Sequence, residues 1–125
     1  MGRLTVFEAK VKPQTPFTVR SEMRGDAAIV TASGHIAEME AERLGKEINQ
    51  RIEEGARVIV LDLGDVTFVT SACLGVLMGA HKRLRDSGGL RVARPQPLVR
   101  QILEITKLIR LFGAYDSVED ALQAR

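Results

Sequence analysis

Few residues in this chain have the type and spacing to do chemistry. Cys73 is the only cysteine. It falls in the first turn of a helical pattern, where a thiol pKa can drop far enough for nucleophilic or redox work. It also lies on that helix's apolar stripe, and no histidine is close in sequence, so a buried small hydrophobe is the competing reading. His35 and His81 are the only histidines, and no HExxH or His/carboxylate cluster surrounds them. They read as surface or hydrogen-bonded side chains rather than metal ligands. Glu38, Glu40 and Glu42 resemble paired carboxylates, but acids near a helix N-terminus favour its dipole and read as a solvated face. Ser71 is different. Val66-Thr67-Phe68-Val69-Thr70-Ser71-Ala72-Cys73-Leu74-Gly75 joins a buried strand to a helix, and α/β folds place function in such loops. Thr70 or Ser71 could equally be the helix N-cap, and spacing leaves both readings open.

The composition bounds the scaffold that must position these residues. The chain has 125 residues, 45% hydrophobic and 27% charged, with a formal net charge of +2. That length gives one domain, and a core is feasible without disulfides or metal. With no Trp, one Tyr and four Phe, the core must be aliphatic. No basic run or interleaving of basic with aromatic residues points to nucleic acid. No stretch reaches the roughly 18 apolar residues of a membrane span, and the N-terminus lacks an apolar signal region. A cytoplasmic protein is expected. Neither GxxxxGK[ST] nor GxGxxG occurs, and Gly88-Gly89 follows a helix as a turn, so no phosphate-binding loop of the usual kind and no cofactor is expected.

The elements follow from periodicity. Residues 1–16, with Pro13 and Pro16, read as a lead-in or edge strand. Phe17–Met23 alternates as a strand, Arg24-Gly25-Asp26 turns, and Ala27–Ser33 is a second strand stopped by Gly34, giving an antiparallel hairpin. Residues 38–54 form a helix with Ala41, Leu44, Ile48 and Ile52 inward and Gly55 past its end. Arg57–Leu63 suits a central strand buried on both faces. Gly64–Thr70 reads as a connection. A helix over about Ser71–Asp86 carries Cys73, Val76, Leu77, Ala80 and Leu84 inward. Leu90–Ala93 is a short strand. The next helix presents Leu98, Ile102, Ile105 and Ile109, with Leu103 and Leu108 beside them. Ser117, three residues before Asp120, opens a final short helix. The order β-β-α-β-α-β-α-α predicts parallel pairing after the hairpin, with right-handed crossovers.

Leu61-Asp62-Leu63-Gly64-Asp65-Val66-Thr67-Phe68, followed by Ser71 and Leu74-Gly75-Val76-Leu77, resembles the signature of STAS domains in bacterial anti-sigma factor antagonists, approximately LDLSGVTFIDSSGLGVLL. Ile102–Leu108, Leu111-Phe112, Tyr115–Leu122, Gly25-Asp26 and Ser33-Gly34-His35-Ile36 fit further parts of the family pattern. The resemblance covers roughly residues 17–123 and leads us to place a single STAS domain at 17–125. It implies an α/β fold: a mixed, mostly parallel sheet of four to five strands, with about four helices mainly on one face. It also implies a non-enzymatic binding module. In partner switching, the unphosphorylated antagonist binds an anti-sigma factor that is also a serine kinase, phosphorylation of one serine releases it, and a PP2C-type phosphatase resets it. A monomer or weak homodimer is expected.

The matching phosphoacceptor is Ser71, with Thr70 a lesser substitute, and the partner surface maps to His35, Ala37, Thr70, Ser71, Ala72 and Cys73. Three positions depart from the family pattern. Thr70 stands where an aspartate precedes the acceptor, Ala37 where an aspartate ends the first hairpin motif, and Cys73 where glycine follows the acceptor pair. Loss of both acids implies a retained binding surface with phosphorylation at Ser71 weakened or absent, and a Cβ at position 73 implies an obstructed approach. The alternatives are a phosphorylation-independent STAS scaffold of the stressosome kind, a lipid-transport subunit and, against the missing motifs, a nucleotide-binding protein.

Overall fold

A computed structural model describes residues 15–124. Most of the expected lead-in at 1–16 lies outside the described residues, and Thr15 and Pro16 are not in a strand. The strands are β1 (Thr18–Arg24), β2 (Ala27–Ile36), β3 (Val58–Val69) and β4 (Gly89–Ala93), in sheet order β1-β2-β3-β4. β1 pairs antiparallel with β2 across a two-residue Gly25-Asp26 turn, with Arg24 opposite Ala27. β2, β3 and β4 are parallel. Five helices follow or separate them among the described residues: α1 (Glu38–Glu53), α2 (Ser71–Arg83), α3 (Pro97–Ile105), α4 (Ile109–Phe112) and α5 (Val118–Gln123).

Strand alternation sorts the apolar residues onto two faces. Val30, Ala32, Ile59, Leu61, Leu63 and Val92 face the main core, which α1 to α4 cover with Leu44, Ile48, Leu77, Leu103 and Phe112. Ile29, Val60 and Ala93 face the other side, where Ala121 of α5 packs against them. The helices therefore lie mainly on one face, with α5 alone on the second.

Three expected boundaries are corrected. β2 runs through Gly34 to Ile36, accommodated by register shifts between Thr31 and Ser33 and between Gly34 and His35. Gly34 has φ +83, and a Cβ there would meet the Thr15 carbonyl oxygen at 2.6 Å, so the glycine lets the chain entering β1 cross it rather than stopping the strand. β3 continues past Gly64 to Val69, so the expected connection at Gly64–Thr70 is mostly strand. The helix expected to carry Ile109 ends at Ile105, and Lys107, at φ +65, separates it from α4.

The apolar face assigned to that helix is also corrected. Val99 and Leu103 are its buried residues, while Leu98 and Ile105 are 48% and 71% exposed.

Candidate functional site

The β2 and β3 strands end side by side, with Ile36 paired to Val69. Each leads directly into a helix. Ala37 is the N-cap of α1 and Thr70 the N-cap of α2. Ser71, the first residue of α2, is exposed, and a depression of about 500 Å3 is lined by Ala37, Glu38, Thr70, Ser71 and Ala72. The structure thus brings both departures from the acidic pattern, Ala37 and Thr70, into the same depression as Ser71.

Neither cap side chain serves its own helix. Thr70 Oγ1 donates to the Ile36 carbonyl at 3.0 Å, and the Thr70 N–H reaches the same oxygen at 3.2 Å. This locks the start of α2 to the end of β2 and leaves the α2 N–H groups uncapped by Thr70. Ala37 has no side-chain oxygen to give. The Glu40 carboxylate accepts from the Ala37 N–H at 3.2 Å, which is one half of a capping box. The first turn of α2 carries no acidic residue, so its dipole leaves a positive potential beside Ser71.

His35 is exposed near the end of β2, and its ring meets Phe68 edge to face at 5.2 Å between centroids. Phe68 is 37% exposed, and neither it nor His35 lines the depression that holds Ser71. His81 lies elsewhere: its Nδ1 accepts from the Leu90 N–H at 3.0 Å. Ala72 is half-buried between this depression and a groove of about 550 Å3 along α1 and α2, lined by Met39, Glu42 and Val76 among others.

Cys73 corrects an expectation. It is fully buried, and burial pushes its thiol up to about 12. Its side chain points into the core, so it neither obstructs an approaching partner nor presents a thiolate. It shapes the surface only by fixing the helix above it.

The sequence reading missed one polar cluster. Asp62 is 8% exposed within the central strand β3. It accepts from Arg94 Nε at 3.0 Å, Arg94 Nη2 at 3.2 Å and the Gly64 N–H at 3.0 Å. The Asp62 hydrogen bonds hold the Arg94 guanidinium above its ordinary value. A Cβ on Gly64 would collide with the Arg94 guanidinium, so glycine at 64 is what admits the arginine. The available signal was a carboxylate inside the run Val58–Leu63: a buried charge requires a partner.

Among the described residues no helix is long and apolar enough to cross a membrane, and no three of His, Cys, Asp and Glu are grouped to hold a metal.

The sequence model of the STAS domain matches residues 18–121. BtrV of Bordetella bronchiseptica, a protein assigned to the anti-sigma factor antagonists, is 33% identical over 97 residues, covering 77% of this chain and 84% of its own. A crystal structure of an anti-sigma factor antagonist from Mycobacterium paratuberculosis superposes with TM-score 0.77 at 27% identity, covering 86% of this chain and 92% of that one. SpoIIAA in its unphosphorylated form, also an anti-sigma factor antagonist, shares the fold at TM-score 0.72 and 20% identity, covering 84% and 93%. The phosphorylated form of SpoIIAA from Bacillus gives TM-score 0.67 at 19% identity, covering 86% and 100%.

Proposed function

The chain belongs to the STAS-domain family, and on that premise we propose that it is an anti-sigma factor antagonist whose binding surface is centred on Ser71. One observation carries the reading: Ser71 is exposed at the first position of α2, in the depression that the two helix caps, Ala37 and Thr70, enclose. An anti-sigma factor covers this depression and the adjoining groove along α1 and α2. Phosphate on Ser71 adds about −1.5 to −2 charges and bulk at that point. The helix N-terminus accommodates the charge, whereas a partner packed over Ser71 must desolvate it and is displaced. A precedent for a fold of this kind existing with and without phosphate is SpoIIAA, solved in both forms.

Phosphorylation by a serine kinase is slower here than where acids flank the acceptor, because Ala37 and Thr70 offer no carboxylate to the Ser71 hydroxyl as it attacks the γ-phosphate of ATP and loses its proton. Thr70 is a poorer substitute acceptor than Ser71, since its hydroxyl is half-buried and committed to Ile36. The same two neutral caps favour a second reading, a constitutive scaffold or transport-complex subunit that binds its partner without a phosphate switch.

The test is incubation with the kinase-type anti-sigma factors of the source organism and ATP, followed by intact mass spectrometry and pull-down. The expected result is binding of the unmodified chain, together with slow gain of one phosphate that vanishes in Ser71→Ala. A PP2C-type phosphatase then restores binding. Stable binding with no phosphate gain over long incubation supports the scaffold reading. Absence of binding to any anti-sigma factor overturns the proposal.

A further inference from the structure

At the opposite end of the sheet from Ser71 lies a cleft of about 640 Å3. The β1–β2 turn, the start of β3, the loop before β4 and the end of α5 form its walls. Arg24, Arg57 and Arg91 all line it, with Asp26 the one carboxylate in the lining. Arg24 is neutralised, pairing with Glu119 at 2.8 Å and Glu22 at 3.3 Å. Arg57 and Arg91 have no carboxylate at salt-bridge distance among the described residues. Arg91 donates through Nη1 to the Ala121 carbonyl at 2.8 Å, which orients the guanidinium without cancelling its charge.

The cleft is held by backbone rather than by these side chains. The Arg57 carbonyl accepts from Ser87 Oγ at 2.6 Å and from the Gly88 N–H at 2.8 Å. Gly88 passes so close to β3 that a Cβ would meet Val58 Cβ at 2.5 Å. Ala27, Val58 and Leu122 supply an apolar wall. Two guanidinium groups without a salt-bridge partner, against the single carboxylate of Asp26, beside an apolar wall match one ligand chemistry well, because the planar donor fork of arginine fits phosphate oxygens in pairs.

We propose that this cleft binds a phosphate-bearing small molecule, with Arg57 and Arg91 holding the phosphate. β3 spans from the cleft to the Ser71 end over 12 residues, roughly 35 Å at the usual strand rise. The ligand therefore touches nothing at the partner surface, and the proposal does not depend on the reading given above for Ser71.

The experiment is a titration of the full chain with inorganic pyrophosphate at low ionic strength, followed by calorimetry and by amide NMR. The expected result is saturable binding with shifts concentrated at Arg57, Gly88, Arg91 and Leu122. Arg57→Ala weakens binding by roughly tenfold, the usual value of one charge-assisted hydrogen-bonding group. Arg57→Glu abolishes binding, Arg57→Lys, which keeps the charge but loses the planar fork, weakens it measurably but less than Arg57→Ala, and Ser71→Ala leaves it unchanged. No saturable binding, or equal affinity for the Arg57→Ala and parent chains, overturns the proposal. Phosphatidylglycerol vesicles identify the source of the phosphate. Co-sedimentation lost in Arg57→Glu supports a lipid headgroup, and pyrophosphate binding without co-sedimentation supports a soluble phosphate ester.

Discussion

Thr70 gives both its backbone N–H and its hydroxyl to a single acceptor, the Ile36 carbonyl, at 3.2 and 3.0 Å. The end of one parallel strand is thereby fastened to the start of the helix after the next. Thr70→Val removes the hydroxyl bond while keeping the shape and the N–H bond. The Ile36 carbonyl keeps a partner, so the loss stays near the net value of one hydrogen bond, about 1 kcal/mol. Urea unfolding checks it, and a loss above about 3 kcal/mol would mean that Thr70 does more than this.

Ala37→Asp tests the companion position. The N-cap of α1 has extended geometry, with φ −91 and ψ −158, and Glu40 already makes the reciprocal half of the box. A carboxylate at 37 supplies the missing half and favours the helix dipole, for a gain of about 1 kcal/mol. The urea midpoint should rise with an unchanged slope. If that acid also serves the Ser71 chemistry, phosphorylation of the same variant quickens relative to the parent chain.

Arg94 occupies left-handed backbone, at φ +56, and holds Asp62. Arg94→Ala and Arg94→Gly both lose the ion pair, but only alanine keeps a Cβ in that conformation. Arg94→Gly should therefore be less destabilised than Arg94→Ala by about 1 kcal/mol. Equal losses would show that the ion pair, not the backbone, sets the whole effect. Gly64→Ala meets only the tip of the half-exposed Arg94 side chain, which can move aside, so it should cost less than removing Arg94.

The buried thiol makes a pH prediction. Burial raises Cys73 from 9.0 to about 12 in the folded chain. Between these values the unfolded chain releases the proton and the folded chain keeps it, so stability falls as pH rises through that window. Cys73→Ala lacks this part of the slope. In the parent chain at pH 8 an aromatic disulfide reagent should label the thiol only at the rate of unfolding. Immediate labelling would contradict the burial.

The residues that pack both faces of the sheet were legible because the aliphatic run Val58–Leu61 suits a strand buried on both faces and the Ala41, Leu44, Ile48 spacing suits an amphipathic helix. α3 was not. Leu98, Val99, Ile102, Leu103 and Ile105 spread apolar groups over an arc of about 160°, wider than the stripe that packs, and periodicity cannot say which part of it is inward. The sheet chose Val99 and Leu103. Gly34 and Gly64 misled for another reason: each glycine inside a strand marked a close approach, by Thr15 and by Arg94, rather than an end. The position of Ser71 at the start of α2 was readable from local pattern. The meeting of Ala37 with Thr70 was not, because it depends on the parallel pairing of strands that lie more than thirty residues apart, as Ile36 and Val69 do.

The short helix α5 reaches across the second face of the sheet to the first strand, and its Glu119 meets Arg24 across 95 positions of sequence. During synthesis α5 emerges after all four strands of the sheet, so this contact forms later than the pairing of the strands can. A nascent chain can close its main core while Ile29, Val60 and Ala93 still face water. Translational pausing or truncation before Val118 would leave a nearly complete sheet with an open apolar flank, a species that chaperones and proteases would meet before any partner does.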